Sequence, residues 1–102
     1  MNHIINAALQ ILPKGDKKTY DLVDSAIEII QESGLKYKVC PFETVIEGTY
    51  DEVMNVIRKA QQACIASGAK EYIAYIKLQV KHNTDVRIED KIEKYETKNP
   101  AD

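Results

Sequence analysis

Tryptophan is absent from this 102-residue chain, phenylalanine occurs once and glycine four times. Gly15, Gly34, Gly48 and Gly68 stand singly, each where a turn or helix end is expected, so there is no Gly-rich loop to cradle a phosphate. Basic charge is not in excess either. The 14 Lys and Arg stand against 16 Asp and Glu, a net charge of −2, which excludes the broad cationic surface of a general nucleic-acid binder. No apolar run approaches the roughly 18 residues of a membrane span, and Met1-Asn2-His3 lacks the basic-then-apolar opening of a secretory signal. Cys40 and Cys64 are too few for a disulfide framework and read as reduced thiols in a cytoplasmic protein. His3, His82 and the two cysteines have no metal-ligand spacing, so neither a metal nor a catalytic centre is expected.

What is present is ordinary for a globular domain: 44% apolar and 29% charged residues. A single domain over residues 1–96 is expected, with a loose tail at 97–102. Residues 4–12 alternate as a strand, with Ile5, Ala7, Leu9 and Ile11 on one face, followed by a turn at Pro13-Lys14-Gly15-Asp16. Leu22, Val23, Ala26, Ile27 and Ile30 then form one helical stripe over residues 20–33, with Thr19 or Asp16 as its cap and Gly34 just past its end. Leu35 to Cys40 and Glu43 to Glu47 read as two short strands. Thr49-Tyr50-Asp51-Glu52 fits a capping box, and the stripe Val53, Val56, Ile57, Ala60, Ala63, Cys64 follows it up to Gly68. A long strand at 71–80 and a short helix marked by Ile88, Ile92 and Tyr95 complete the order.

Strand, helix, strand, strand, helix, strand is the order of an α+β ferredoxin-like βαββαβ sandwich. It places a four-stranded antiparallel sheet under two helices, here with a short C-terminal helix added. Two helices cover one face of such a sheet. The other would carry Ala8, Gln10 and Leu12 with one set from the last strand, either Ile73 and Tyr75 or Ile76, Leu78 and Val80. A bare apolar face of that kind calls for a partner, and a homodimer or homotetramer formed by pairing sheets supplies one. The C-terminal helix could instead cover part of it. An RNA-binding face of the same strand order needs aromatics on its central strands, yet the third strand reads Glu-Thr-Val-Ile-Glu.

Chemistry concentrates in Pro41-Phe42-Glu43-Thr44-Val45-Ile46-Glu47-Gly48. Alternation places Glu43, Val45 and Glu47 on one face, with Thr44 and Ile46 on the other. A carboxylate on a partly buried sheet face needs a partner. That partner could be a lysine such as Lys77 for Glu47, with Glu43 simply solvated, or it could be a ligand.

The stretch from Pro41 to Met54 resembles the signature of a family of small ferredoxin-like thiamine-binding proteins, related to the YkoF-type binders of thiamine and hydroxymethylpyrimidine. Ala8-Leu9-Gln10-Ile11-Leu12-Pro13, Ser33-Gly34-Leu35-Lys36-Tyr37 and Asp90-Lys91-Ile92-Glu93-Lys94-Tyr95 carry the same resemblance, which spans residues 5–96. Pro13 to Lys18 and Gln79 to Asn83 depart from the common pattern. The resemblance implies a dimeric or tetrameric protein without assigned catalysis that holds thiamine or its hydroxymethylpyrimidine half as ligand, with no further cofactor. Thiamine offers an aminopyrimidine edge and a thiazolium cation. Thr44, Glu47 and Gln10 can supply polar partners, and Phe42, Tyr37 and Tyr75 aromatic faces. The competing expectation is an interaction module whose homo-oligomer interface is itself the function, with Tyr37 and Tyr75 as ordinary packing.

Overall fold

The computed structural model describes residues 3–96. The chain runs β1 (Ile4–Gly15), α1 (Thr19–Glu32), β2 (Lys36–Val39), β3 (Thr44–Thr49), α2 (Tyr50–Ala66), β4 (Ala69–Gln79) and α3 (Ile88–Glu96). The four strands form one antiparallel sheet in the order β2-β3-β1-β4, the ferredoxin-like arrangement.

Alternation along β1 decides which side becomes the core. Ile5, Ala7, Leu9 and Ile11 are buried with Ile46 of β3 against Leu22, Ala26 and Ile30 of α1 and Val53, Ile57, Ala60 and Cys64 of α2. The capping box at the start of α2 is formed. Thr49 N donates to Glu52 Oε1 at 3.0 Å, while Glu52 N donates to Thr49 Oγ1 at 3.4 Å. Gly34 has a φ of +82° and Gly68 one of +121°, backbone conformations that ending α1 and α2 requires and that a Cβ disfavours.

Three local expectations are corrected. Pro13-Lys14-Gly15 is not a turn: β1 continues through it, pairing Pro13 with Tyr72, Lys14 with Glu71 and, after a register shift, Gly15 with Ala69. Proline is tolerated there because β3 pairs with β1 only as far as Leu9, so β1 has a neighbour on one side alone at Pro13. Neither Thr19 nor Asp16 caps α1. Lys18 occupies the cap position without a side-chain bond, Thr19 is already helical, and Asp16 pairs with Lys70 at 3.0 Å. The second strand is confined to Lys36–Val39, because Cys40 N donates to the Glu43 carbonyl at 2.9 Å and closes a tight turn over Pro41 and Phe42. The tail expected at 97–102 lies outside the described residues.

Candidate functional site

After β4 the chain crosses back over the face that α1 and α2 leave bare. Its course there is fixed by backbone groups of β1 and side chains of β1 and β3. Val86 N donates to the Ile4 carbonyl at 2.9 Å, and Ile4 N donates to Asp85 Oδ1 at 2.8 Å. That bond is the main reason the Asp85 carboxyl is held below its ordinary value of 3.8; the nearby Arg87 guanidinium acts in the same direction, against desolvation. Asn6 Nδ2 donates to the Val86 carbonyl at 3.0 Å and to the Ile5 carbonyl at 3.2 Å.

The decisive anchor is Glu47. It lies directly opposite Asn6 in the β1–β3 pair, on the sheet face away from α1 and α2, and is only 6% exposed. Its Oε1 accepts from Ile88 N at 2.7 Å, and its Oε2 is 3.8 Å from Arg87 Nη1. Ile88 is the first residue of α3, so a carboxylate from the sheet serves the unpaired N–H groups and positive dipole end of that helix. Lys36 of β2 and Glu89 of α3 form a further ion pair. Lys77 does not meet Glu47; it lies 3.5 Å from Glu43.

Between this strap and the sheet is a cavity of about 470 Å3, within the range that small-molecule sites occupy. Ala8, Val45 and Lys77 form its sheet side, and Ile88, Lys91 and Ile92 its α3 side. Asn6 is part of the wall and 3% exposed, and its Oδ1 is a buried side-chain acceptor without a donor among the described residues. Two carbonyls accept from Nδ2, which fixes the amide orientation and leaves Oδ1 as the unmet group. No cluster of three or more metal-ligating side chains occurs among the described residues, and no described helix is long and apolar enough to cross a membrane.

The residues singled out in the sequence fall in different places. Thr44 pairs with Leu9, faces α1, is 5% exposed, and borders a smaller cavity of about 310 Å3 on the helix side. It is therefore separated from Glu47 by the sheet itself. Tyr37 pairs with Ile46 and sits at the sheet edge on that same helix side. Gln10, Phe42 and Tyr75 do come together, with Glu43 and Lys77, in an open depression on the other face. Because Glu43 and Lys77 also border the cavity under α3, the depression adjoins it. The sequence reading missed Asn6 and Lys91. Asn6 had a usable signal: a polar residue within an apolar strand, on the face where Glu47 also falls.

The model of a family described as thiamine-binding protein matches residues 7–96. The chain belongs to the thiamine-binding protein family. A UPF0045 protein of Clostridium perfringens is 38% identical over 91 residues, covering 88% of this chain and 95% of the relative. Among solved structures, a domain of unknown function from Bacillus cereus superposes with a TM-score of 0.88 at 38% identity, over 91% of this chain and 90% of that one. A Thermotoga maritima protein, described provisionally as one of thiamine biosynthesis or salvage, has a TM-score of 0.82 at 26% identity, over 90% of this chain and 98% of its own. Within this family frame, the stretch that carries the sequence resemblance includes Glu47, the residue that fastens α3 over the cavity.

Proposed function

We propose that this thiamine-binding family member holds thiamine, or its hydroxymethylpyrimidine half, by equilibrium binding without catalysis in the cavity under α3. The observation that carries the reading is Asn6 Oδ1, a buried acceptor without a donor in the wall of a ligand-sized cavity. An unmet buried acceptor costs about 1–3 kcal/mol, and the exocyclic amine of an aminopyrimidine is a donor that removes that cost. The cavity walls supply the apolar seat for the ring. The thiazolium ring then extends toward Gln10, Phe42 and Tyr75, whose aromatic faces suit a cation. Glu47 acts in this scheme by holding α3, and Thr44 lies away from the ligand.

Asn6 Oδ1 is closed off from solvent, so the strap must yield slightly as ligand enters. Calorimetric titration with thiamine, hydroxymethylpyrimidine and the analogue lacking the 4-amino group tests the reading. The first two should bind, and the third should bind about 10- to 100-fold more weakly. Ala8→Leu, which fills the cavity without touching the strap anchors, should abolish binding at unchanged fold. Equal binding of the deaminated analogue would overturn the role of Asn6.

Self-association accompanies this reading. Leu12, Ile73 and Tyr75 on the uncovered part of the sheet are 44%, 54% and 54% exposed, and Phe42 beside them is 81% exposed. Such a patch supports sheet-to-sheet pairing into a homodimer or homotetramer. It also favours the second reading, an interaction module in which the cavity is incidental. Ile73→Lys separates the two: a binder keeps its ligand affinity as it becomes monomeric, whereas an interaction module has no ligand affinity to keep. Two free thiols, Cys40 and Cys64, suit a reducing compartment such as the cytoplasm.

A further inference from the structure

The charge around the cavity has the wrong sign for a site designed only around a cation. Glu43, the carboxylate in its wall, is matched by Lys77 at 3.5 Å, and Glu47 is committed to Ile88 and Arg87. Lys91 projects from α3 at the cavity, and no ion pair joins it to a carboxylate among the described residues. Lys81, just past β4, is close enough to act on it as a like charge. Two ammonium groups near one another repel, and Glu47, already committed to Ile88 and Arg87, offsets that only in part. Desolvation, then Lys81, pushes the Lys91 pKa down, and Glu47 pulls it the other way.

We infer that the preferred ligand carries an anion: an aminopyrimidine bearing a phosphate monoester, its amine on Asn6 and its phosphate between Lys91 and Lys81. The inference rests on the aminopyrimidine reading above and adds the phosphorylation state to it. A dianionic phosphate relieves the repulsion between the two ammonium groups and gains charge-assisted hydrogen bonds from both. It also explains how an acidic protein can select a phosphorylated ligand without a glycine-rich loop, through Lys91 in the cavity wall and the neighbouring charge of Lys81.

The test is calorimetric titration with hydroxymethylpyrimidine, its phosphate monoester and inorganic phosphate, each at low and high salt. The ester should bind about tenfold more tightly than the alcohol at low salt, with the margin shrinking at high salt. Lys91→Met and Lys81→Met, checked for unchanged melting temperature, should each erase the margin of the ester over the alcohol. The Lys91 amine, followed by NMR, should titrate at higher pH in the ester complex. An alcohol that binds as well as the ester overturns the inference and leaves the aminopyrimidine reading standing. Inorganic phosphate matching the ester overturns it as well, because the pyrimidine would then contribute nothing. If neither pyrimidine binds, both readings fall.

Discussion

Glu47→Ala should unfasten α3 while leaving the sandwich folded. In the native chain the Glu47 carboxylate is 6% exposed and accepts from Ile88 N at 2.7 Å. Alanine leaves that N–H without an acceptor, at a cost of about 1–3 kcal/mol. Loss of a negative charge at a helix N-terminus costs about 0.3–1 kcal/mol more. The Arg87 contact at 3.8 Å is too long to add much. Together these come to about 1.3–4 kcal/mol, or roughly a 10- to 900-fold increase in the population with the strap open. Glu47→Gln keeps an oxygen for Ile88 N–H and loses the charge, so it should lie between alanine and wild type.

Hydrogen exchange reads this directly. Amides of α3 from residue 91 onward should exchange faster by that factor in Glu47→Ala, because none of the α1 and α2 packing depends on Glu47. Amides of Ile46 and Ile57, which are 0% and 1% exposed in the core, should keep their protection relative to global unfolding. Unchanged α3 exchange would refute Glu47 as the anchor. Equal acceleration of α3 and the core would refute the strap as a unit that opens separately.

Other perturbations probe the frame and the fastening. Ile57→Ala should cost about 2–5 kcal/mol in urea denaturation, since the side chain is 1% exposed in the cluster joining α2 to the sheet. Gly15→Ala should cost about 1–3 kcal/mol in the same assay, because a Cβ there would stand 2.7 Å from the Gly68 carbonyl oxygen, which is backbone and cannot swing aside. For acid, the sign follows from a lowered folded-state pKa. The Asp85 contribution is complete above the ordinary value of 3.8 and is lost as pH falls below it toward the folded value. Thermal melts of Asp85→Asn should accordingly show a shallower loss of stability below about pH 4 than wild type. Ile73→Lys should shift sedimentation toward the monomer, and an unchanged sedimentation coefficient would remove that face as the contact.

The sandwich was legible because its signals are local and agree with one another. Alternation in Ile5, Ala7, Leu9 and Ile11, the stripe from Val53 to Cys64, and the box at Thr49 and Glu52 each specify one element and the face it buries. The end of β1 was misread because Pro13 and Gly15 resemble a turn in isolation, whereas pairing with the long β4 keeps them extended. The site was less legible for a geometric reason. Alternation already sends Thr44 and Glu47 to opposite faces, but it does not say that the helices cover the Thr44 side and the chain after β4 covers the Glu47 side. The partner of Glu47 lies 41 residues further along the chain at Ile88, and it is a backbone N–H that no side-chain pattern announces.

The stretch from Thr44 to Thr49 is thus occupied largely with building. Ile46 fills the core, Gly48 leaves room for Leu35 and Val53 at 3.3 and 3.4 Å from where a Cβ would stand, and Thr49 caps α2. Glu47 holds the lid of the cavity. In the proposed reading, a motif of this kind would serve ligand binding through the position of α3, and that role differs measurably from direct contact. A positioning residue alters the fraction of molecules whose cavity is formed, so Glu47→Gln should weaken thiamine, hydroxymethylpyrimidine and the phosphate ester by a common factor. A residue that touches the ligand discriminates among them, as Lys91→Met should between ester and alcohol. Titrating all three ligands against both variants decides the matter: a Glu47→Gln effect confined to thiamine, the one cation of the three, would place the carboxylate against the ligand after all.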